Sequence, residues 1–277
     1  MIYFVGAGSG APDLITLRGA ELLRGADCVI YAGSLVNPAL LGLCRDSARL
    51  LSEADVIVYA GSLVNPALLD YKKDGCEVYN SAKMTLEEVI AVMAPAAKAG
   101  KTVVRLHTGD PCVYGAHREQ MDELDKRGIP YEVCPGVSSF CGAALKAEYT
   151  LPNVSQSVIL TRMEGRTPVP EKEQIEAFAA HGATMVIFLS AGQLPRLSER
   201  LIAGGYAPDT PAAIVYKATW SDEKVVRTTV GELAAAGARE GITKTALITV
   251  GGFLGTEYER SKLYDPTFTT EFREASR

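Results

Sequence analysis

Short β-branched and aromatic runs, most of them closed by Gly, Pro or Asn, recur along the whole chain. In the first half they are IYFVG (2–6), CVIYAG (28–33), VIVYAG (56–61), CEVYN (76–80), TVVRLHTG (102–109) and YEVCPG (131–136). Runs of this length and content predict strands. Between several of them the apolar positions switch to helical spacing. TLRGAELLRGAD (16–27) places Leu17, Ala20, Leu23 and Ala26 on one face. TLEEVIAVMAPAAKAG (85–100) opens with Thr85, a helix cap, and Glu88 three residues on completes a capping box. Strands alternating with helices predict a parallel sheet covered on both faces.

The second half reads differently. TLPNVSQ (150–156) is polar and contains Pro, and it is taken as a linker. It is followed by SVILTR (157–162), TMVIFLSA (184–191), AAIVYKATW (212–220), KVVRTTV (224–230) and ALITVGG (246–252). The third and fourth runs are separated only by SDE, a hairpin signal, so this sheet should be mixed. The expected organisation is an N-terminal α/β domain over 1–149, the linker 150–156, a C-terminal α/β domain over 157–255 and a tail from 256 to 277 without clear period.

An internal repeat lies inside the first domain. ADCVIYAGSLVNPALL (26–41) and ADVIVYAGSLVNPALL (54–69) match at 13 of 16 positions, offset by 28. The echo extends upstream, so a tandem duplication spans roughly 17–72. A single pair of units is not a solenoid. The extra helix–strand unit could add at a sheet edge, or one copy could lie outside the sheet.

Composition narrows the class. The 277 residues are 47% hydrophobic and 22% charged, ordinary for a globular protein. A net charge of −5 disfavours a generally basic nucleic-acid binder. Every long apolar run is interrupted, so no membrane-spanning helix is expected, and MIYFVGAGSG lacks the charged start of a signal peptide. The six Cys show no CxxC spacing and do not cluster with the three His. No metal site is expected, and the thiols read as free in a reducing cytoplasm.

Three glycine-bearing loops each follow a strand: GAGSGA (6–11), HTGDPCVYGA (107–116) and PGVSSFCGAA (135–144). In an open α/β sheet such loops meet at one edge, where ligands bind. The first fits GxGxxG/A, but neither candidate second strand ends in the acid that a dinucleotide ribose requires, and Pro12 sits in the turn, so NAD is disfavoured. His107, at a strand end, is open to two readings, a proton shuttle or a residue held by backbone.

These loops resemble those of the tetrapyrrole (precorrin) methyltransferase family. The resemblance runs through GAGSGAPDLITLRG (6–19), YAGSLV (present twice), HTGDPCVYG (107–115) and PGVSS (135–139). TRMEGRTPVPE (161–171), YKATWSDEKVVRTTV (216–230) and SKLYDPTF (261–268) resemble the branch that methylates carbon 11 of precorrin-4 in cobalamin synthesis. The resemblance implies two α/β domains with a cleft between them, a homodimer, and S-adenosylmethionine as cofactor, released as S-adenosylhomocysteine. It implies cofactor contacts at Ser9, Thr108, Gly109, Asp110, Val113, Ser138, Ser139, Leu189 and Ala218. Two positions depart from the pattern: Ser9 stands where relatives commonly have Pro, and YAGSL has Gly where many have Asp. That Asp is a proposed base in related enzymes, so no catalytic residue is assigned here. The expected substrate carries several carboxylates, which Arg forks and Lys suit. Lys83, Arg162, Arg166 and Lys217 are the candidates, with Arg105, Lys224 and Arg227 as further local cations. A cobalt-bearing substrate, another ring position, a diphthine-synthase-like activity and a non-catalytic binder disabled by the duplication remain open at this point.

Overall fold

The computed structural model describes residues 1–6, 8–9, 14–24, 28–31, 56–59, 77–79, 81–101, 103–107, 109–145, 147–271 and 273–276. The chain divides into two compact units, Met1–Gly142 with Thr219–Ser221, and Ala143–Ala218 with Asp222–Arg277.

The first unit is built on strands β1 (Ile2–Gly6), β2 (Cys28–Tyr31), β3 (Val56–Tyr59), β4 (Glu77–Tyr79), β5 (Val103–His107) and β6 (Tyr131–Cys134). They form one sheet in the order β4-β3-β2-β5-β1-β6, and every ladder is parallel. Its helices are α1 (Leu17–Arg24), α2 (Leu86–Lys98), α3 (Arg118–Asp125) and the single turn α4 (Ser139–Gly142). Strand β1 is apolar on both sides because both are covered. Ile2 and Phe4 join Val89, Ile90 and Met93 of α2 and Leu124 of α3 in one core. Val5 points the other way, and a Cβ placed on Gly19 of α1 would lie 3.0 Å from its side chain. Burying a Phe or Met side chain contributes about 1.5–3 kcal/mol, so Phe4 and Met93, both without exposed surface, anchor this layer. The capping box predicted for α2 is present: Thr85 N–H donates to Glu88 Oε2 at 2.7 Å, and Glu88 N–H donates to Thr85 Oγ1 at 3.3 Å.

Both copies of the repeat contribute to this sheet. β2 and β3 are adjacent and parallel, with Cys28 opposite Val56 and Tyr31 opposite Tyr59. Each residue therefore pairs with its own counterpart 28 positions on. The added strand sits inside the sheet, between β2 and β4, not at its edge.

The second unit contains β7 (Val158–Arg162), β8 (Thr184–Phe188), β9 (Pro211–Tyr216), β10 (Lys224–Thr229) and β11 (Ala246–Val250), in the order β10-β9-β11-β8-β7. Only β7 and β8 run parallel; the expected β9–β10 hairpin pairs from Tyr216–Lys224 to Pro211–Thr229. Helices α5 (Ile175–Ala179), α6 (Leu194–Ala203) and α7 (Leu233–Arg239) pack on one face, against Met185, Ile187, Ile214 and Ile248. Residues 150–156 form a turn within this unit. Leu151 and Ser155 bridge, Ser155 Oγ accepts from Thr184 N–H at 2.9 Å, and Thr184 Oγ1 donates to the Tyr149 carbonyl. The tail holds local structure: Asp265 accepts from Thr267 N–H, and Arg273 donates to the Asp265 and Phe268 carbonyls. Among the described residues, no helix is long and apolar enough to cross a membrane.

The register of β2 on β3 predicts that one unit of the repeat is dispensable. Removing residues 42–69 shortens the chain from 277 to 249 residues and lets β4 pair with β2 as it now pairs with β3. The deleted protein should be soluble, with a thermal midpoint within about 5 °C of the parent. Insoluble product would show that the second strand is structurally required.

Candidate functional site

In the first unit the parallel strands deliver their C-terminal ends to one edge, and three of the loops there interlock through backbone. A Cβ on Gly6 would stand 2.5 Å from the Gly136 Cα and 2.6 Å from the Gly109 carbonyl oxygen. A Cβ on Gly136 would stand 2.2 Å from that same oxygen. Gly8 and Gly109 exchange backbone hydrogen bonds, at 3.3 and 2.8 Å. Only residues without side chains allow three backbones to approach this closely.

Asp110 locks the arrangement. Its Oδ2 accepts from Gly136 N–H at 2.8 Å and its Oδ1 from Cys112 N–H at 2.7 Å. The predicted residue thus ties the second loop to the third through charge-assisted bonds. Ser138 is buried, and Ser139 starts α4. Ser9 is buried and shares a hydrogen bond of 3.2 Å with the Thr219 hydroxyl, a residue grouped with this unit. Val113 is half-buried on the 110–116 turn, where Tyr114 and Ala116 both take positive φ. A hydrogen bond from the thiol to Asp110, with some burial, pushes Cys112 up, so it stays protonated at neutral pH. Thr108 and the glycines of both YAGSL turns lie outside the described residues.

Behind these loops, on the face packed by α2 and α3, lies a buried polar group. His107 is 4% exposed, with its ring 5.8 Å from Phe4 and 5.4 Å from His117, and its Nε2 has no hydrogen-bond partner. Burial, reinforced by the charge of Arg105 and by His117, holds His107 well below the ordinary imidazole range; only a bond with the Gly115 backbone acts the other way. His117 is lowered too, first by burial. Arg105, one of the local cations considered for substrate, is instead buried, and its Nε donates to Gln120 Oε1 at 3.3 Å. Burial pulls it down to about 10, so it remains charged at neutral pH.

The second unit gathers its candidates at one sheet edge. The register sets Arg162 beside Phe188, and Tyr216 beside both Ala246 and Lys224. Immediately past these ends the backbone is strained. Leu189, Lys217 and Thr245 take φ of 52°, 49° and 55°, and Lys217 N–H donates to the Thr245 carbonyl at 2.9 Å. A left-handed conformation costs a non-glycine residue about 1–2 kcal/mol. Leu189 also leaves its side chain 66% exposed. Ala218 follows Lys217 and is buried. Strained backbone of this kind persists only where its surroundings fix it.

The cations differ in their engagement. Arg162 spends its guanidinium on the carbonyls of Met163 (3.1 Å), Thr167 (3.3 Å) and Pro168 (2.8 Å), bracing the loop that follows β7. Lys217 pairs with Asp222 at 2.5 Å and lies over the Tyr216 ring. Lys224 faces Glu240 at 3.5 Å, and Arg227 donates to the Leu254 carbonyl. Lys83 is exposed at the end of a short 3-10 turn in the first unit. Arg166 is exposed at the tip of the 163–168 loop and has no bond to another described residue.

A model of the tetrapyrrole (corrin/porphyrin) methylases matches residues 1–48 and 46–234. The chain belongs to this family. The two matched stretches meet at 46–48, between the copies of the repeat, as a duplication inside the family fold would require. Among curated members, the cobalt-precorrin-4 C(11)-methyltransferase of Methanocaldococcus jannaschii is 49% identical, covering 99% of this chain and 96% of its own. The precorrin-4 C(11)-methyltransferase of a Sinorhizobium species is 42% identical, covering 98% of each. Among solved structures, a cobalt precorrin-4 methyltransferase superposes with a TM-score of 0.77 at 43% identity, over 92% of this chain and 96% of its own. The uroporphyrin-III C-methyltransferase of Thermus thermophilus, complexed with S-adenosylhomocysteine, gives 0.66 at 26%, over 91% and 98%.

Within the family frame, the first unit brings Ser9, Gly109, Asp110, Val113, Ser138 and Ser139 to one edge of its sheet, and the second brings Arg162, Arg166, Leu189, Lys217 and Ala218 to one edge of its own. Sequence reasoning missed Thr219, Ser190, Gln193, Glu164 and Arg200, which hold these loops in place. The signal was present for Glu164, inside the TRMEGR segment, but its partners are 32 and 36 residues away.

Two outcomes follow from the first unit's geometry. Gly136→Ala forces a methyl against the Gly109 carbonyl and should cost about 1–3 kcal/mol in denaturant unfolding, with S-adenosylhomocysteine binding lost in calorimetry. Wild-type stability in that variant would exclude the interlock. His107 stays neutral in the fold, while the unfolded chain takes up its proton below about pH 6.5. Stability is therefore insensitive to His107 above pH 6.5 and falls as pH drops below it, by at most about 1.4 kcal/mol per unit for this group. In His107→Gln, unfolding followed from pH 7 to pH 5 should show a shallower decline; an unchanged slope refutes the assignment.

Proposed function

We propose that the chain is an S-adenosylmethionine-dependent C-methyltransferase acting on carbon 11 of precorrin-4, metal-free or carrying cobalt, in corrin ring synthesis. Its products would be precorrin-5, or the cobalt form, and S-adenosylhomocysteine. One observation carries this reading: 49% identity along essentially the whole length of an enzyme of that name. S-adenosylmethionine, when bound, supplies a methyl group already activated by its sulfonium. What is asked of the protein is alignment of a ring carbon with that methyl and exclusion of water. Positioning alone can lower such a barrier by about 7–11 kcal/mol in favourable cases. Glycine and serine loops held rigid by Asp110 suit that task, and no activated nucleophile is needed.

The cofactor contacts in this reading are Ser9, Thr108, Gly109, Asp110, Val113, Ser138 and Ser139, with Leu189 and Ala218 from the second unit. Arg166 and Lys217, with Lys83, meet substrate carboxylates, while Arg162 serves them indirectly by bracing the Arg166 loop. The protein acts as a cytoplasmic homodimer without nucleic-acid or membrane partners.

The test is anaerobic incubation with methyl-labelled S-adenosylmethionine and either metal-free or cobalt precorrin-4, read by mass and by carbon position. One labelled methyl at carbon 11 is expected. S-adenosylhomocysteine binding without turnover on either substrate would favour a non-catalytic protein. Asp110→Asn should weaken S-adenosylhomocysteine binding about tenfold or more, in line with loss of a charge-assisted bond; unchanged affinity removes Asp110 from the site.

A further inference from the structure

We propose that Glu164 is a positioning residue for substrate recognition: clamped by Arg196 and Arg200, it fixes the 163–168 loop so that Arg166 is presented to a ring carboxylate. This rests on the reading of Arg166 given above and extends it to the group behind the loop.

The loop leaves β7 at Arg162 and is held along its length. Met163 is buried, and its N–H donates to Ser190 Oγ at 3.0 Å. The Ser190 hydroxyl in turn donates to the Phe188 carbonyl at 2.7 Å. Gln193 Nε2 donates to the Glu164 carbonyl at 3.3 Å, and Gly165 N–H to the Thr167 carbonyl at 3.2 Å. Arg162 binds the carbonyls at both ends. Against this frame only the tip is free, and Arg166 occupies it.

The Glu164 side chain connects the loop to α6. Its Oε1 accepts from both Arg196 and Arg200. Arg200 is fixed independently: it is 9% exposed, grips both oxygens of Glu176 at 2.5 Å and reaches Gln174 Oε1 at 2.8 Å. Burial pushes the Glu164 carboxyl up, but bonds from its own backbone and from Arg200 outweigh it and hold the group ionised. Its Oε2 is buried with no partner. An unpaired buried carboxylate oxygen opposes stability. The carboxylate links the loop to two arginines of α6, which sets the loop's position. Because Arg200 keeps Glu176 and Gln174, removing the Glu164 carboxylate breaks the loop's side-chain link to α6 without orphaning Arg200.

The test compares Glu164→Gln, Arg166→Ala and the double variant in the full-length protein, with whichever form of precorrin-4 it turns over. Arg166→Ala should raise KM at least about tenfold, and Glu164→Gln about fivefold. For Glu164→Gln, kcat at saturation and S-adenosylhomocysteine affinity should stay within about twofold of the parent. The double variant should be no worse than Arg166→Ala, because Glu164 acts through Arg166 and the effects do not add. Unchanged KM in Glu164→Gln while Arg166→Ala raises it, or effects that multiply, overturns the inference and leaves the functional reading intact. Unchanged KM in Arg166→Ala overturns both the carboxylate role of Arg166 and this inference. Should Glu164→Gln not fold, Arg196→Met, altered at a half-exposed side chain, loosens the same clamp: its KM should rise, and an unchanged KM overturns the inference.

Discussion

The first unit depends on a contact between three stretches of backbone. Gly6, Gly109 and Gly136 come from the ends of β1, β5 and β6 and meet so closely that neither Gly6 nor Gly136 has space for a methyl. Strand order follows from this, since β1 must lie between β5 and β6 for the three ends to meet. The chemistry follows too. With side chains excluded, what the loops present is amide, carbonyl and small hydroxyl, and the nearby carboxylate is spent internally on Gly136 and Cys112. The result is a rigid rim of backbone and small hydroxyls, suited to a nucleoside cofactor and lacking an activated nucleophile among the described residues.

The second unit reaches rigidity by other means. Its sheet is mixed, so its loops do not all leave in one direction, and side chains brace them instead. Arg162, Ser190, Gln193 and the Glu164–Arg200 pair surround one loop with polar contacts. The strain at Leu189, Lys217 and Thr245 sits directly at the ends of β8, β9 and β11, whose ladders fix one side of each turn. One unit relies on absent side chains and the other on densely bonded ones, and both fix loops at a sheet edge.

Much of this was legible. Strands were marked by runs such as IYFVG and TMVIFL and ended where their turn residues stood, and the Thr85–Glu88 box announced α2. The short helices were harder to read. In α5, Ile175 and Ala179 are buried within only five residues, too short for periodicity to speak. In α3 the buried positions are Gln120 and Leu124, so its inner face includes a polar residue bonded to Arg105. The glycine loops were recognisable as a group, but their mutual contact is a three-dimensional fact. For Arg162 the residue type suggested an outward fork, whereas the path of the following loop turns its donors onto carbonyls. A partner 36 residues distant, as for Glu164, leaves no local trace in the chain.

The pairing of β2 with β3 at an offset equal to that of the repeat has an evolutionary consequence. Unequal recombination between the two copies would insert or excise whole 28-residue units and keep the paired strand residues in phase. Sheet width in this lineage is therefore a quantity that can change by integers in one genetic event, with no intermediate that must fold out of register.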